Sequence, residues 1–317
     1  MGNRAVFVIA GPEGYERRSS SFGAVGLDLD PLGGPEAVLP FVLGHRLEEG
    51  PWYDDDMCEV GALIDPARKL LLVFAQEGPS VAMRTRAAWL RMPGPAWPGW
   101  EVRWTYDGQS GLRTHLGLDP GHVPGTVYPG TALEADEEEL ADPDPMAAVV
   151  TVGSGRCHVL AHIADHPVAE GPALLERLAD APAPTGYAGR AEAGIHLDPA
   201  ARRVGWWLTG IVPHAGRMAA RRPGWTVEFW ADRWEEHERA SGGRFAPPAP
   251  DRAAAPADVR AQALRRWAGP RADVRARLVA ALPHATIGRG FAPAVTAEQA
   301  AAARSAVERA YAAAVGI

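Results

Sequence analysis

Residues 98–107 read Pro-Gly-Trp-Glu-Val-Arg-Trp-Thr-Tyr-Asp, with Trp100, Val102 and Trp104 alternating with polar neighbours. Strand side chains alternate between faces, so this stretch predicts a strand with one aromatic face turned to a core. The pattern returns at 223–232 as Pro-Gly-Trp-Thr-Val-Glu-Phe-Trp-Ala-Asp, with Trp225, Val227 and Phe229 on the corresponding face. The chain therefore reads as a duplication.

A second repeated signal precedes it. Glu59 to Ile64, a turn at Asp65-Pro66-Ala67-Arg68 and the apolar run Leu70 to Ala75 form one hairpin. Glu192 to Leu197, Asp198-Pro199-Ala200-Ala201-Arg202-Arg203 and Val204 to Leu208 form the other. Asp followed by Pro is the chemistry of a type I turn. Glu59 with Glu192, Gly61 with Gly194 and Asp65 with Asp198 share an offset of 133, whereas the Pro-Gly-Trp pairs share 125. The first copy thus holds extra residues between hairpin and last strand, which fall at Arg91 to Trp97.

The remaining elements follow the same order. Arg4 to Ala10 pairs with Ser21 to Leu29 in the first copy, and Ala147 to Gly153 pairs with Arg156 to Ile163 in the second. Helices are predicted from near Pro40, over Met83 to Met92, over Ala173 to Leu178 and after Asp107 and Asp232, the last two stopped by Gly117 and Gly242. The fold class is α+β: two tandem copies of an antiparallel-sheet-plus-helices unit related by a pseudo-twofold, then a small α-helical C-terminal region. The boundaries are a first repeat at 1–117, an acidic Pro/Gly-rich linker at 118–145, a second repeat at 146–242, a Pro/Ala-rich linker at 243–256 and a helical region at 257–317. In that region Asp258 and Asp273 are expected to cap helices, and Thr296-Ala297-Glu298-Gln299 reads as a capping box.

Composition narrows the class. With 47% hydrophobic and 22% charged residues in 317, this is a globular chain of more than one core. The apolar run at 5–11 is too short for a membrane span and lacks a leader's cleavage site, and two cysteines make no disulfide framework, so a cytoplasmic location is expected. A single lysine beside abundant arginine, alanine, glycine and proline matches a GC-rich bacterial genome. The net charge of −7 divides unevenly: after residue 250 there are ten arginines against five acids, which leaves the first 250 residues strongly acidic. Such a body repels nucleic acid. The basic tail is expected to pack on it.

Candidate chemistry is sparse. His158, His162 and His166 would bind zinc if helical, but four-residue steps along a strand spread them over roughly 13 Å each. They remain weak metal candidates, and no cofactor is indicated. Tyr53 with Asp54, Asp55 and Asp56 is a cation or acid–base candidate confined to the first copy. Glu59 and Glu192 recur in both copies, either as loop anchors through backbone hydrogen bonds or as paired carboxylates. Trp207, Trp230 and Trp234 lie on the sheet face opposite Trp206, and are expected either as an aromatic binding patch or buried beneath a linker. No Gly-rich phosphate loop, Gly-x-Ser-x-Gly elbow, Cys-x-x-Cys or His-Glu-x-x-His occurs.

The sequence therefore predicts a binding protein for a protein partner or small ligand, in an inter-repeat groove or on an aromatic face. A hydrolase-type enzyme working from carboxylates or a histidine-bound metal is the alternative. Neither nucleic acid nor membrane is expected as a partner.

Overall fold

The computed structural model describes residues 4–20, 26–53, 57–121, 129–133, 138–142, 144–163, 165–272, 274–282, 284 and 293–316. Two compact units emerge. Unit 1 comprises Met1–Val81, Thr85–Pro120 and Asp251–Ile317, and unit 2 comprises Ala82–Arg84 and Gly121–Pro250. The helical C-terminal region, which the sequence sets apart at 257–317, is thus part of unit 1.

The sheet of unit 1 holds β1 (Ala5–Gly11), β2 (Gly14–Ser20), β3 (Arg46–Leu47), β4 (Val60–Asp65), β5 (Leu70–Ala75) and β6 (Glu101–Trp104), in the order β3-β2-β1-β4-β5-β6. The hairpins β1–β2 and β4–β5 are antiparallel, whereas β1 runs parallel to β4 and β5 to β6. Its helices are α1 (Gly34–Leu43), α2 (Met83–Trp89), α3 (Pro93–Ala96) and α4 (Gln109–His115), with α7 (Ala254–Arg266), α8 (Val274–Ala281) and α9 (Ala297–Val315) from the C-terminal segment. The first two residues of α2, Met83 and Arg84, belong to unit 2.

Unit 2 repeats the arrangement. The strands β7 (Thr131–Leu133), β8 (Ala147–Val152), β9 (Arg156–Ala161), β10 (Ala193–Asp198), β11 (Arg203–Leu208) and β12 (Thr226–Phe229) lie in the order β12-β11-β10-β8-β9-β7. Again two antiparallel hairpins, β8–β9 and β10–β11, meet through a parallel pair, β8 with β10, and β12 adds parallel to β11. Its helices are α5 (Ala173–Arg177) and α6 (Trp234–Ala240). The expected α+β duplication is present, and each sheet is mixed. Pairings inside a hairpin follow from the turn, but pairings between hairpins depend on tertiary packing that local pattern does not encode.

The two copies agree in backbone detail. Asp65 Oδ1 accepts the Arg68 N–H and Asp198 Oδ1 accepts the Ala201 N–H, both at 3.0 Å. The residue after each turn is left-handed, Lys69 at φ 50° and Arg202 at φ 49°. Gly34 and Gly171 are both left-handed, and a β-carbon there would stand 2.8 Å from Ala96 O and 2.6 Å from Arg221 O, residues at the offset of 125. Only glycine fits such a close backbone approach.

Three expected elements shift. The first helix, expected to begin near Pro40, spans Gly34–Leu43 and carries Pro40 inside it, because Pro35 occupies its first turn. The second strand is Gly14–Ser20, and the sequence read as a strand over 21–29 ends instead in a 3-10 helix, Leu27–Gly33, with residues 21–25 outside the described set. The Asp258 cap is displaced as well. Asp251 Oδ1 accepts the Ala253 and Ala254 N–H groups at 2.8 Å each, and Asp258 lies inside α7. Asp273, the other expected cap, lies outside the described residues. The Thr296 capping box forms as expected, with both reciprocal bonds to Gln299.

The main core of unit 1 joins β1, β4 and β5 to Trp89, Trp97 and the C-terminal residues Val259, Trp267, Ala303 and Val307. Alanines dominate the inner stripe of α9, which brings its backbone close to its neighbours; Gly34 would clash with Ala306 if it carried a side chain. The basic tail is pinned by Arg266, whose guanidinium forks onto buried Asp30 at 2.7 and 2.9 Å. In unit 2, Trp206 faces His166 and Phe229 on one side of the sheet, and Trp207 faces α6 and Phe245 on the other. Both faces are covered. Among the described residues no helix is long and apolar enough to cross a membrane.

Candidate carboxyl site in unit 2

Glu59 and Glu192 each stand immediately before a strand that opens a hairpin, and their backbones are held identically. Glu59 N–H donates to Arg4 O at 3.1 Å and Glu192 N–H to Ala147 O at 2.9 Å, while their carbonyls accept from Gln76 and Thr209 at 2.9 Å. Their side chains part company. The Arg4 N–H donates to Glu59 Oε2 at 2.6 Å, so this carboxylate anchors the strand start. The corresponding N–H in unit 2, that of Ala147, is already spent on Pro145 O at 2.8 Å.

Glu192 therefore keeps its place but loses that donor. Burial raises its pKa, and repulsion from the Asp144 carboxylate adds to the rise, which brings it to about 7. Asp144 is tied down by Arg84, whose Nε lies 2.6 Å from Oδ2, and its backbone N–H donates to Asp142 Oδ1 at 2.8 Å. Its second oxygen, Oδ1, is buried without a hydrogen-bond partner among the described residues. One carboxyl protonated near neutrality beside another held by an arginine is the arrangement that separates acid from base.

Asp144 also lines a cleft of about 320 Å³, together with Asp142, Leu140, Met146, His162 and Ile163. Met146 is 63% exposed, and His162 adopts a left-handed φ of 52° with its side chain toward solvent. The cleft thus joins acidic groups to an apolar wall.

The three histidines of the sequence motif separate. His158 Nδ1 donates to Pro182 O at 2.7 Å in the interior. His166 Nε2 donates to Trp207 O at 2.9 Å while its Nδ1 accepts the Val168 N–H at 3.0 Å, so both ring nitrogens are used in capping a 3-10 turn. Burial lowers the His166 pKa to about 4, and lowers that of His158 as well. Of the three, His162 alone reaches the cleft. Among the described residues no group of three or more histidine, cysteine or acidic side chains is placed to hold a metal ion.

Trp207, Trp230 and Trp234 do not form an open aromatic face. All three are buried in a core with Tyr187 and Phe245, the latter contributed by the segment that follows α6. Beneath them runs a polar chain that the sequence reading missed. Trp207 Nε1–H donates to His237 Nδ1 at 3.0 Å, which fixes the proton of neutral His237 on Nε2; that group faces Thr151 Oγ1 at 2.7 Å, and Thr151 meets His196 Nδ1 at 2.8 Å. Burial, with His196 and His166 adding to it, lowers the His237 pKa to about 3. The positions equivalent to Thr151, His196, Trp207 and His237 in unit 1 are Val8, Leu63, Phe74 and Leu112, all buried and apolar. The offset of 125 that relates α4 to α6 would have revealed His237 as a polar residue at a core position.

Tyr53 is half-buried in unit 1, with the Arg4 guanidinium 5.6 Å from its ring centre and its carbonyl accepting from Gln109 Nε2 at 3.2 Å. Asp54, Asp55 and Asp56 lie outside the described residues. No protein-family model, curated protein or solved structure matches the chain.

Proposed function

We propose that the protein binds a small organic cation, an amine or polyamine, in the acidic cleft of unit 2. The observation that carries this reading is the contrast between Glu59, which accepts a backbone N–H, and Glu192, which lacks that donor and titrates near 7. A cation in the cleft beside Asp142 and Asp144 offsets the Asp144 charge that helps to raise the Glu192 pKa, and the exposed Met146 side chain offers an apolar contact for an alkyl chain. Such a ligand favours the ionised form of Glu192. Binding near neutral pH should therefore release a proton.

Calorimetric titration with putrescine and spermidine in two buffers of different ionisation enthalpy tests this. Saturable binding whose heat depends on the buffer is expected, with the buffer dependence lost in Glu192→Gln. Absence of binding by both amines overturns it. A second reading rests on the same pair. Glu192 as proton donor and Asp144 as the arginine-held carboxylate have the division of labour of a hydrolase acid and base.

A further inference from the structure

We propose that unit 1 carries a separate site for a small organic oxyanion, a carboxylate or phosphate monoester, in a cleft bounded by the tips of its two hairpins and the end of α4. Three departures from the scaffold shared by the two copies meet there. The first is the length of the β1–β2 hairpin. In unit 2 the last pair is Val152 with Arg156, and Val152 lies beside Leu197 as Ile9 lies beside Ile64; β1–β2 continues past Ile9 with the pairs Ala10–Tyr15 and Gly11–Gly14. Those added residues form one wall of a cleft of about 550 Å³.

The second and third departures are side chains. His115, the last residue of α4, corresponds to Ala240 at the end of α6, and Arg68 corresponds to Ala201 in the equivalent turn. Both turns close on their aspartate with the same 3.0 Å backbone bond, so neither side chain is needed for the turn. Both line the cleft.

Their chemistry is convergent. Asp65 Oδ2 lies 3.3 Å from His115 Nε2 and 3.7 Å from Arg68 Nε. The aspartate thereby orients the imidazole with Nε2 toward itself. The titratable side chains lining the cleft are Tyr15, Asp65, Arg68 and His115. The Arg68 guanidinium keeps N–H donors beyond the Nε that faces Asp65, and an oxyanion is the ligand such a fork fits. Arg68 remains 68% exposed and free to turn onto it, while the ring of Tyr15, itself 41% exposed, offers a flat apolar contact for the ligand's body.

Calorimetric titration of the full chain with benzoate and with phenyl phosphate tests the assignment and distinguishes the two ligand sources. One saturable site for either anion is expected. Arg68→Ala, an exposed turn substitution that leaves the fold intact, should weaken it about tenfold or more. His115→Gln, which replaces the imidazole held by Asp65, should weaken it as well, with unchanged thermal unfolding as the control. Absence of saturable binding by both anions, or binding unaltered by both substitutions, overturns the proposal. Neither substitution touches unit 2, so amine binding there stands or falls separately.

Discussion

The Trp207 indole lies across Gly194, its partner on the neighbouring strand, so that a β-carbon at 194 would collide with the indole Nε1 and stand 2.6 Å from His237 Nδ1. Phe74 covers Gly61 in the same manner, where an added β-carbon would stand 2.6 Å from its Cζ. Each glycine gives up its own side chain so that a large ring can cover the backbone. Gly61→Ala and Gly194→Ala should each cost about 1–3 kcal/mol by overpacking, read as a lowered denaturation midpoint. Gly94→Ala, with open space around it, is the control and should not destabilise.

Asp28 supplies a pH-dependent prediction for unit 1. Burial lifts its pKa from 3.8 to about 7, against the Ser80 N–H that donates to Oδ2 at 3.0 Å. A carboxyl that holds its proton more tightly when folded favours the native state at low pH, and this contribution is lost as pH rises from about 4 to about 7. Asp28→Asn keeps an oxygen for Ser80 and removes the charge. It should raise stability above neutrality by an amount on the order of 3 kcal/mol and leave it unchanged near pH 4, as measured by urea unfolding across pH.

Buried histidines act with the opposite sign. The His45 and His166 pKa values are lowered to about 4 and that of His237 to about 3, each chiefly by burial. The unfolded chain takes up these protons near pH 6.5 and the folded chain does not, so their contribution is complete above about 6.5 and declines steadily below it. The midpoint of thermal unfolding should therefore fall between about pH 6 and about pH 4. Carrying the unit 1 residues into unit 2, as Thr151→Val, His196→Leu, Trp207→Phe and His237→Leu together, should flatten part of that slope. His237→Leu alone should destabilise, because it strands the buried Trp207 N–H and leaves the Thr151 hydroxyl with His196 as its one remaining partner in that chain.

The C-terminal helices complete the first core. Trp267, Val259 and Val307 are fully buried, their helices packed on α1 and the 3-10 turn Leu27–Gly33, and Arg266 satisfies Asp30. Arg266→Ala leaves a buried carboxylate unpaired and should cost about 3–5 kcal/mol, measured by chemical denaturation. Cutting the chain after Pro250 should expose that core and yield aggregated protein, measured by the soluble fraction on expression.

Much of this architecture is readable from local chemistry. Asp65-Pro66 and Asp198-Pro199 encode their turns, alternation encodes Trp100 to Trp104, and matched offsets encode the duplication. The carboxyl site is only half readable. Glu192 stands out as a repeated residue, but its loss of a donor depends on Pro145 O reaching the Ala147 N–H, and its neighbour Asp144 falls in a stretch whose composition reads as linker. The same composition hides β7, and alternation correctly separates Trp207 from Trp206 without showing that α6 covers the former. Burial of a face is a property of what packs on it.

Among the described residues five strands are common to both units, and the sixth reaches each sheet by a different route. β3 follows β2 within its own copy, whereas β7 precedes its whole copy, yet both lie antiparallel along the equivalent margin. An unpaired margin invites other chains, so each half has recruited its own guard. A scaffold that accepts this guard from upstream or downstream imposes little on the connection that delivers it, which makes that margin the natural place to graft foreign sequence.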